Sequence, residues 1–257
     1  MPSSVSTFVL PGEEPAAQRE LRIDLAAAFR WFARLDMVEA VANHFSVAVN
    51  AEGTRFLINP CRRHFSRITA SSLLLLDAHD QTTLQRPDAP DPTAWYLHAR
   101  LHAHLPHARC ILHLHSKYAT ALACLNDPTL YPIHMNAARF FGRVAVDTAY
   151  AGMALSNEEA DRQAAMLTEG KSVLLMANHG VLVIGASVAE AFDELFYFEH
   201  AARTLITCYS TGQPLRILSD AVAEATRRQW LEYQGFARDH LNAVKEILDA
   251  EEPDYRR

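Results

Sequence analysis

The chain has 257 residues, 49% of them hydrophobic, and carries 24 basic against 30 acidic side chains for a formal charge of −6. That is apolar material enough for one large domain with a buried core, which excludes disorder as the ground state. The longest apolar stretch, 173–186, is interrupted by Asn178 and His179. It falls short of the roughly 20 residues that cross a bilayer, so no membrane partner is expected. The acidic balance argues equally against non-specific binding to nucleic acid. The opening Met1-Pro2-Ser3-Ser4 has neither the charged start nor the apolar run of a secretory signal, which predicts a cytoplasmic protein. Cys61, Cys110, Cys124 and Cys208 form no CxxC pair and read as reduced thiols filling the core.

In chain order, Leu21, Leu25, Phe29, Phe32 and Leu35 recur at three- and four-residue steps and predict an amphipathic helix over 15–35. Residues 45–49 and 55–58, joined by the Glu52-Gly53 turn, read as a β-hairpin. Residues 72–76 look like a buried strand, and a loop rich in Pro and Asp follows at 86–92. Asp91 before Pro92 resembles an N-cap with proline in the first turn, so 93–105 should be helical until Pro106 stops it. A strand is expected over 109–115, and Ser116 is placed to cap the next helix. Ser156 with Glu159 and Ser187 with Glu190 are candidate capping boxes. Between them, 172–185 reads as two apolar strands meeting at Asn178-His179-Gly180. Residues 219–250 look helical with a break at Gly235, and the charged tail beyond is expected to fray.

Six of the thirteen histidines, His98, His102, His104, His107, His113 and His115, fall within eighteen residues. His113 and His115 are two apart on the predicted strand, so both rings project to one face with Cα atoms roughly 6.5 Å apart. Two such rings can converge on one metal ion, although an isolated His-x-His can equally be the polar face of a half-exposed strand. His179 sits between apolar strands, where an unpaired imidazole would cost about 1–3 kcal/mol. A third ring completes a three-histidine face that leaves a coordination position open, as catalytic rather than structural sites do. His102, His104 and His107, near the end of the helix, read as solvated. His98, on the helix that leads into the metal strand, reads as a support for the site, and Cys110 as core.

Several short stretches stand out in order: Asn43-His44-Phe45-Ser46-Val47, Phe56-Leu57-Ile58-Asn59-Pro60, Ile68-Thr69-Ala70-Ser71-Ser72-Leu73, His113-Leu114-His115, Tyr150-Ala151-Gly152 and Asn178-His179-Gly180. The chain that carries them together resembles the class II aldolase/adducin family. The resemblance covers about 20–212. It leaves an N-terminal arm, 1–19, and a C-terminal helical extension, 213–257. It implies an α/β fold, a three-layer α/β/α sandwich on a mostly antiparallel sheet, usually assembled as a homotetramer. It also implies one divalent ion held by His113, His115 and His179, with zinc the leading candidate and Mn, Fe, Co or Ni compatible with the same donors.

The sequence departs from the sugar-phosphate aldolases at the acid/base position, where their glutamate is replaced by Ala94. Pro92, Thr93 and Cys61-Arg62 replace most of their phosphate cradle, and His44 fills the place of an asparagine. Thr69-Ala70-Ser71-Ser72 is nearer to the adducin branch. The leading expectation is a metal-dependent carbon–carbon lyase acting on a small carboxylate-bearing molecule. In that reading Arg62, Arg63 and His44 contact substrate, and Tyr118, Tyr150 or His98 moves the proton. The alternatives are an adducin-like interaction module that keeps the metal without catalysis, and iron-dependent oxygen chemistry at the same three histidines.

Overall fold

The computed structural model describes residues 14–150, 152–153, 155–168 and 170–257. Most of the expected N-terminal arm, 1–13, and Ala151 of the Tyr150-Ala151-Gly152 stretch lie outside the described residues. Helix α1 (Ala16–Arg34) is followed by strands β1 (His44–Ala48), β2 (Arg55–Ile58) and β3 (Leu74–Asp77), then α2 (Pro92–His104) and β4 (Cys110–Leu114). Two short helices, α3 (Lys117–Ala123) and α4 (Met135–Ala138), lead to β5 (Val144–Asp147) and α5 (Asn157–Met166). Strands β6 (Val173–Met176) and β7 (Gly180–Gly185) precede three helices: α6 (Val188–Ser210), α7 (Asp220–Glu232) and α8 (Phe236–Glu251).

The seven strands form one sheet in the order β3-β2-β1-β4-β7-β6-β5. Every neighbouring pair is antiparallel except β5 with β6. Because side chains alternate along a strand, each strand supplies both faces. Phe45, Val47, Leu112, Leu114, Val181 and Val183 join α1, α3, α6 and α8 in the main core. Ile111, Leu174, Leu182 and Ile184 face the other way, against Leu97 and Leu101 of α2 and Ala164 of α5. The result is the expected α/β/α sandwich. His44, Ser46 and His113 have the parity of Ile111, so the polar groups of the central strands all face the α2 layer.

The antiparallel register sets His44 directly opposite His113 on neighbouring strands. The tight β6–β7 turn brings Asn178-His179 to the same end of the sheet, with Asn178 at φ 56°. Gly180 is required there, because a Cβ would lie 2.5 Å from the carbonyl oxygen of Leu114 and 2.9 Å from the ring of His115.

The C-terminal segment departs from expectation. The break at Gly235 is present, with φ 86°. The tail, however, is docked rather than frayed. Arg30, buried on α1, binds Glu252 at 3.0 Å and Asp254 at 2.9 Å, and the Tyr255 side chain is fully buried. Burying one aromatic ring and answering one buried guanidinium outweigh the repulsion of an acidic tail. The cysteines also divide: Cys110 is core, Cys124 is exposed and Cys61 is half-buried. No helix among the described residues is long and apolar enough to cross a membrane.

Candidate metal centre

His113 is the penultimate residue of the buried strand β4, His115 lies just beyond the strand, and both line a cavity of about 260 Å³. The rings of His113, His115 and His179 lie 4.8–4.9 Å from one another, and one nitrogen from each falls within 4.8 Å of the other two. The tautomers follow from what the other nitrogens touch. His113 Nδ1–H donates to the carbonyl of Val181 at 3.0 Å, and His115 Nδ1–H donates to the carboxylate of Glu39 at 2.6 Å. Each ring therefore turns an Nε2 lone pair inward, and those two nitrogens stand 3.0 Å apart.

Two lone pairs facing at that distance repel unless positive charge lies between them. Two ligands of one tetrahedral zinc ion would be about 3.3 Å apart, so the donor set fits a divalent cation. Burial, opposed by the bond to Val181, holds His113 well below the ordinary imidazole range. Burial likewise pushes His179 down to about 4. Neutral rings are what a metal requires.

Of the residues that the sequence nominates for substrate, His44 and Arg62 line the cavity and Arg63 does not. Arg62 is in the left-handed region at φ 59°, as are Asn43 at 81° and Asn178 at 56°. Non-glycine residues in that region cost of order 1–3 kcal/mol each and gather at functional sites. Tyr150 lines the cavity with its ring 6.3 Å from that of His179. Tyr118 does not reach it. That ring packs beside the main core, with the Arg203 guanidinium 5.9 Å from its centroid.

His98 is fully buried behind the cavity wall, 2.7 Å from His44 Nδ1. His102, expected in solvent, is buried as well. Its ring takes the inward face of α2 one turn after His98, where it meets Ser46 at 2.7 Å and the carbonyl of Ala108 at 3.0 Å. Helical spacing put it there, and the polar pairing made the burial tolerable. His104 and His107 are exposed, as expected.

Several cavity residues were not foreseen. The sequence marks Asp91 only as an N-cap. It does cap α2, accepting from the Thr93 amide at 2.9 Å and the Thr93 hydroxyl at 2.5 Å, but it also lines the cavity. Burial pushes its carboxyl up, yet the bonds from Thr93 and the neighbouring His44 outweigh this and leave it below the usual range. Asn43 and Asn59 also face the cavity, and Cys61 Sγ lies 3.8 Å from Asp91. Ala94 is packed against Phe56 and Trp95, away from the cavity.

The fold and the site together define an α/β protein with a three-histidine centre suited to a divalent ion and open on one side. The sequence pattern of the class II aldolase and adducin N-terminal domain matches residues 23–206, and the chain belongs to that family. The crystal structure of an aldolase II superfamily protein from Pseudomonas syringae superposes with a TM-score of 0.86 at 30% identity, covering 95% of this chain and 98% of that one. The decarboxylase NovR of Streptomyces niveus is 27% identical over 83% of this chain and 81% of its own length. A Streptomyces roseochromogenus protein named 4-hydroxy-3-prenylphenylpyruvate oxygenase/4-hydroxy-3-prenylbenzoate synthase is 28% identical over 80% of this chain and 70% of its own length.

Proposed function

We propose that the protein is a divalent-metal-dependent carbon–carbon lyase, aldolase- or decarboxylase-like, acting on a small oxygenated substrate that bears a carboxylate. The observation that carries this reading is the convergence of three imidazoles on a cavity whose lining also includes Arg62. His113, His115 and His179 would hold the ion. When bound, it supplies Lewis-acid stabilisation of the enolate or carbanion left by carbon–carbon cleavage.

Arg62 lines the cavity and offers paired donors suited to a carboxylate. Tyr150 is the proton donor best placed to reach the cleaved carbon, since its side chain lines the cavity and Tyr118 lies elsewhere. A carboxylate substrate is also in keeping with the name decarboxylase carried by the Streptomyces niveus relative. Zinc suits three neutral nitrogen donors. We further propose a homotetramer in the cytoplasm, for which the exposed Met135, Met153 and Leu155 supply apolar contact surface.

A second reading, an adducin-like interaction module, is favoured by Ala94, which can neither carry a proton nor reach the cavity. One experiment separates the two. Purified protein and His179→Ala are assayed for metal content, then tested on 2-oxo, 3-hydroxy and aromatic hydroxy acids for release of carbon dioxide or aldehyde, with and without chelator and dioxygen. The lyase reading expects one ion per chain, its loss in the variant, and cleavage that follows the ion. A full complement of metal with no cleavage across the panel supports the module. Cleavage that needs dioxygen moves the reaction to iron-dependent oxygen chemistry.

A further inference from the structure

Behind the cavity wall runs an unbroken file of buried polar groups, His44, His98, Ser46 and His102, which ends on the carbonyl of Ala108. Its far end sets its direction. A carbonyl oxygen only accepts, so His102 Nδ1–H donates to Ala108 at 3.0 Å. His102 Nε2 is then a lone pair and takes the hydroxyl proton of Ser46, 2.7 Å away. Ser46 has one proton to give. Toward His98 its oxygen must accept, and His98 Nδ1–H donates to it at 2.5 Å. His98 Nε2 is left as the acceptor for His44 Nδ1–H at 2.7 Å.

His44 Nε2 comes last, with a lone pair and no protein partner among the described residues, on a ring that lines the cavity. Reversing any one bond would set two lone pairs or two protons against each other inside the protein. Burial holds both His98 and His102 neutral, which removes the doubly protonated ring that could break the series.

We infer that His44 Nε2 is a fixed hydrogen-bond acceptor on the cavity wall, that it selects substrates presenting a hydroxyl at that point, and that His98, Ser46 and His102 are positioning residues that set its tautomer. The His44 ring lies 4.8 Å from that of His113, so the selected hydroxyl neighbours whatever oxygen the three-histidine site holds. The hydroxyl assignment rests on the lyase reading, whereas the tautomers do not.

Neutron crystallography of the deuterium-exchanged protein near neutral pH tests the tautomers directly. Deuterium is expected on Nδ1 of His44, His98 and His102, with the Ser46 hydroxyl directed at His102. Deuterium on His44 Nε2 overturns the inference, whatever the protein's activity. The binding arm compares glycolate with acetate by calorimetry on zinc-loaded protein. Wild type should prefer glycolate. Ser46→Ala should cut that preference about fivefold, the worth of one ordinary hydrogen bond, with acetate unchanged, and Ser46→Thr should restore it. An undiminished preference in Ser46→Ala, or no preference in zinc-loaded wild type, refutes selection by His44. Failure to take up zinc would instead count against the metal reading while leaving the neutron result decisive for the tautomers.

Discussion

Glu39 does not touch the inward-facing nitrogen of any of the three histidines, yet its carboxylate 2.6 Å from His115 Nδ1 fixes which nitrogen of that ring keeps a lone pair for the proposed ion. Partners of this kind are worth ten- to a hundredfold in metal affinity. Because the Glu39 side chain is 65% exposed, Glu39→Gln should weaken binding about tenfold, at the lower end of that range, as read by competition with a chelating dye. Arg62 should show the opposite trade. Glycine at its φ of 59° relieves strain, so Arg62→Gly should raise stability to denaturant by up to about 1 kcal/mol while losing the carboxylate grip. At this scale the convergence of His113, His115 and His179 was legible, because His-x-His on a strand and a polar ring between apolar strands each demand an explanation. The second role of Asp91 was hidden, since an N-cap accounts fully for an aspartate before proline. His102 was missed for a related reason: charge and polarity suggested solvent, and only the sheet opposite, with Ser46 at matching height, reveals the pairing.

Helix α3 begins two residues after His115, and its start is held from outside. Ser116 was expected to cap it, but the Ser116 hydroxyl instead donates to Glu199 of α6 at 2.6 Å. The same buried carboxylate accepts the amides of Tyr118 and Ala119, each at 2.9 Å. One side chain thus satisfies three donors at a helix terminus. Glu199→Gln replaces part of that acceptor with an NH₂ group and should cost about 2 kcal/mol in chemical denaturation. It should also lower metal affinity, because His115 loses its anchored neighbour. The serine half of both predicted capping boxes is present, with Ser156 and Ser187 accepting from the Glu159 and Glu190 amides. The return half was not legible. Glu190 reaches the Ala186 amide, one residue early, and Glu159 is drawn to Arg162. Local spacing names the cap, whereas long-range charge decides where the carboxylate goes.

At the scale of the molecule, the buried histidines make stability depend on pH in one direction. Burial, partly opposed by the bond to Ala108, pushes His102 down to about 3, and His98 lies well below its ordinary value. Below pH 6.5 the unfolded chain binds protons that the folded chain refuses, so stability falls as pH drops and is fully present only above that range. Each such ring contributes about 1.4 kcal/mol per pH unit. Urea midpoints from pH 6.5 to 5, above most carboxylate titrations, should fall accordingly, and His102→Gln should flatten the slope by one ring's share. An α/β domain was readable from periodicity along the helices and strands, and the sandwich itself from the family motifs. The docked tail was not, because no local pattern shows that Arg30, more than two hundred residues earlier, waits beneath it.

The β1–β2 turn lies at the pole of the sheet opposite the cavity, and at Gly53 a Cβ would stand 2.3 Å from the carbonyl oxygen of His102. That glycine is a doorstop for the last turn of α2. A methyl group added there would lever the helix away from the sheet and disturb the imidazole file from behind, so a hairpin loop remote from the chemistry is one of the worst places to graft an insertion.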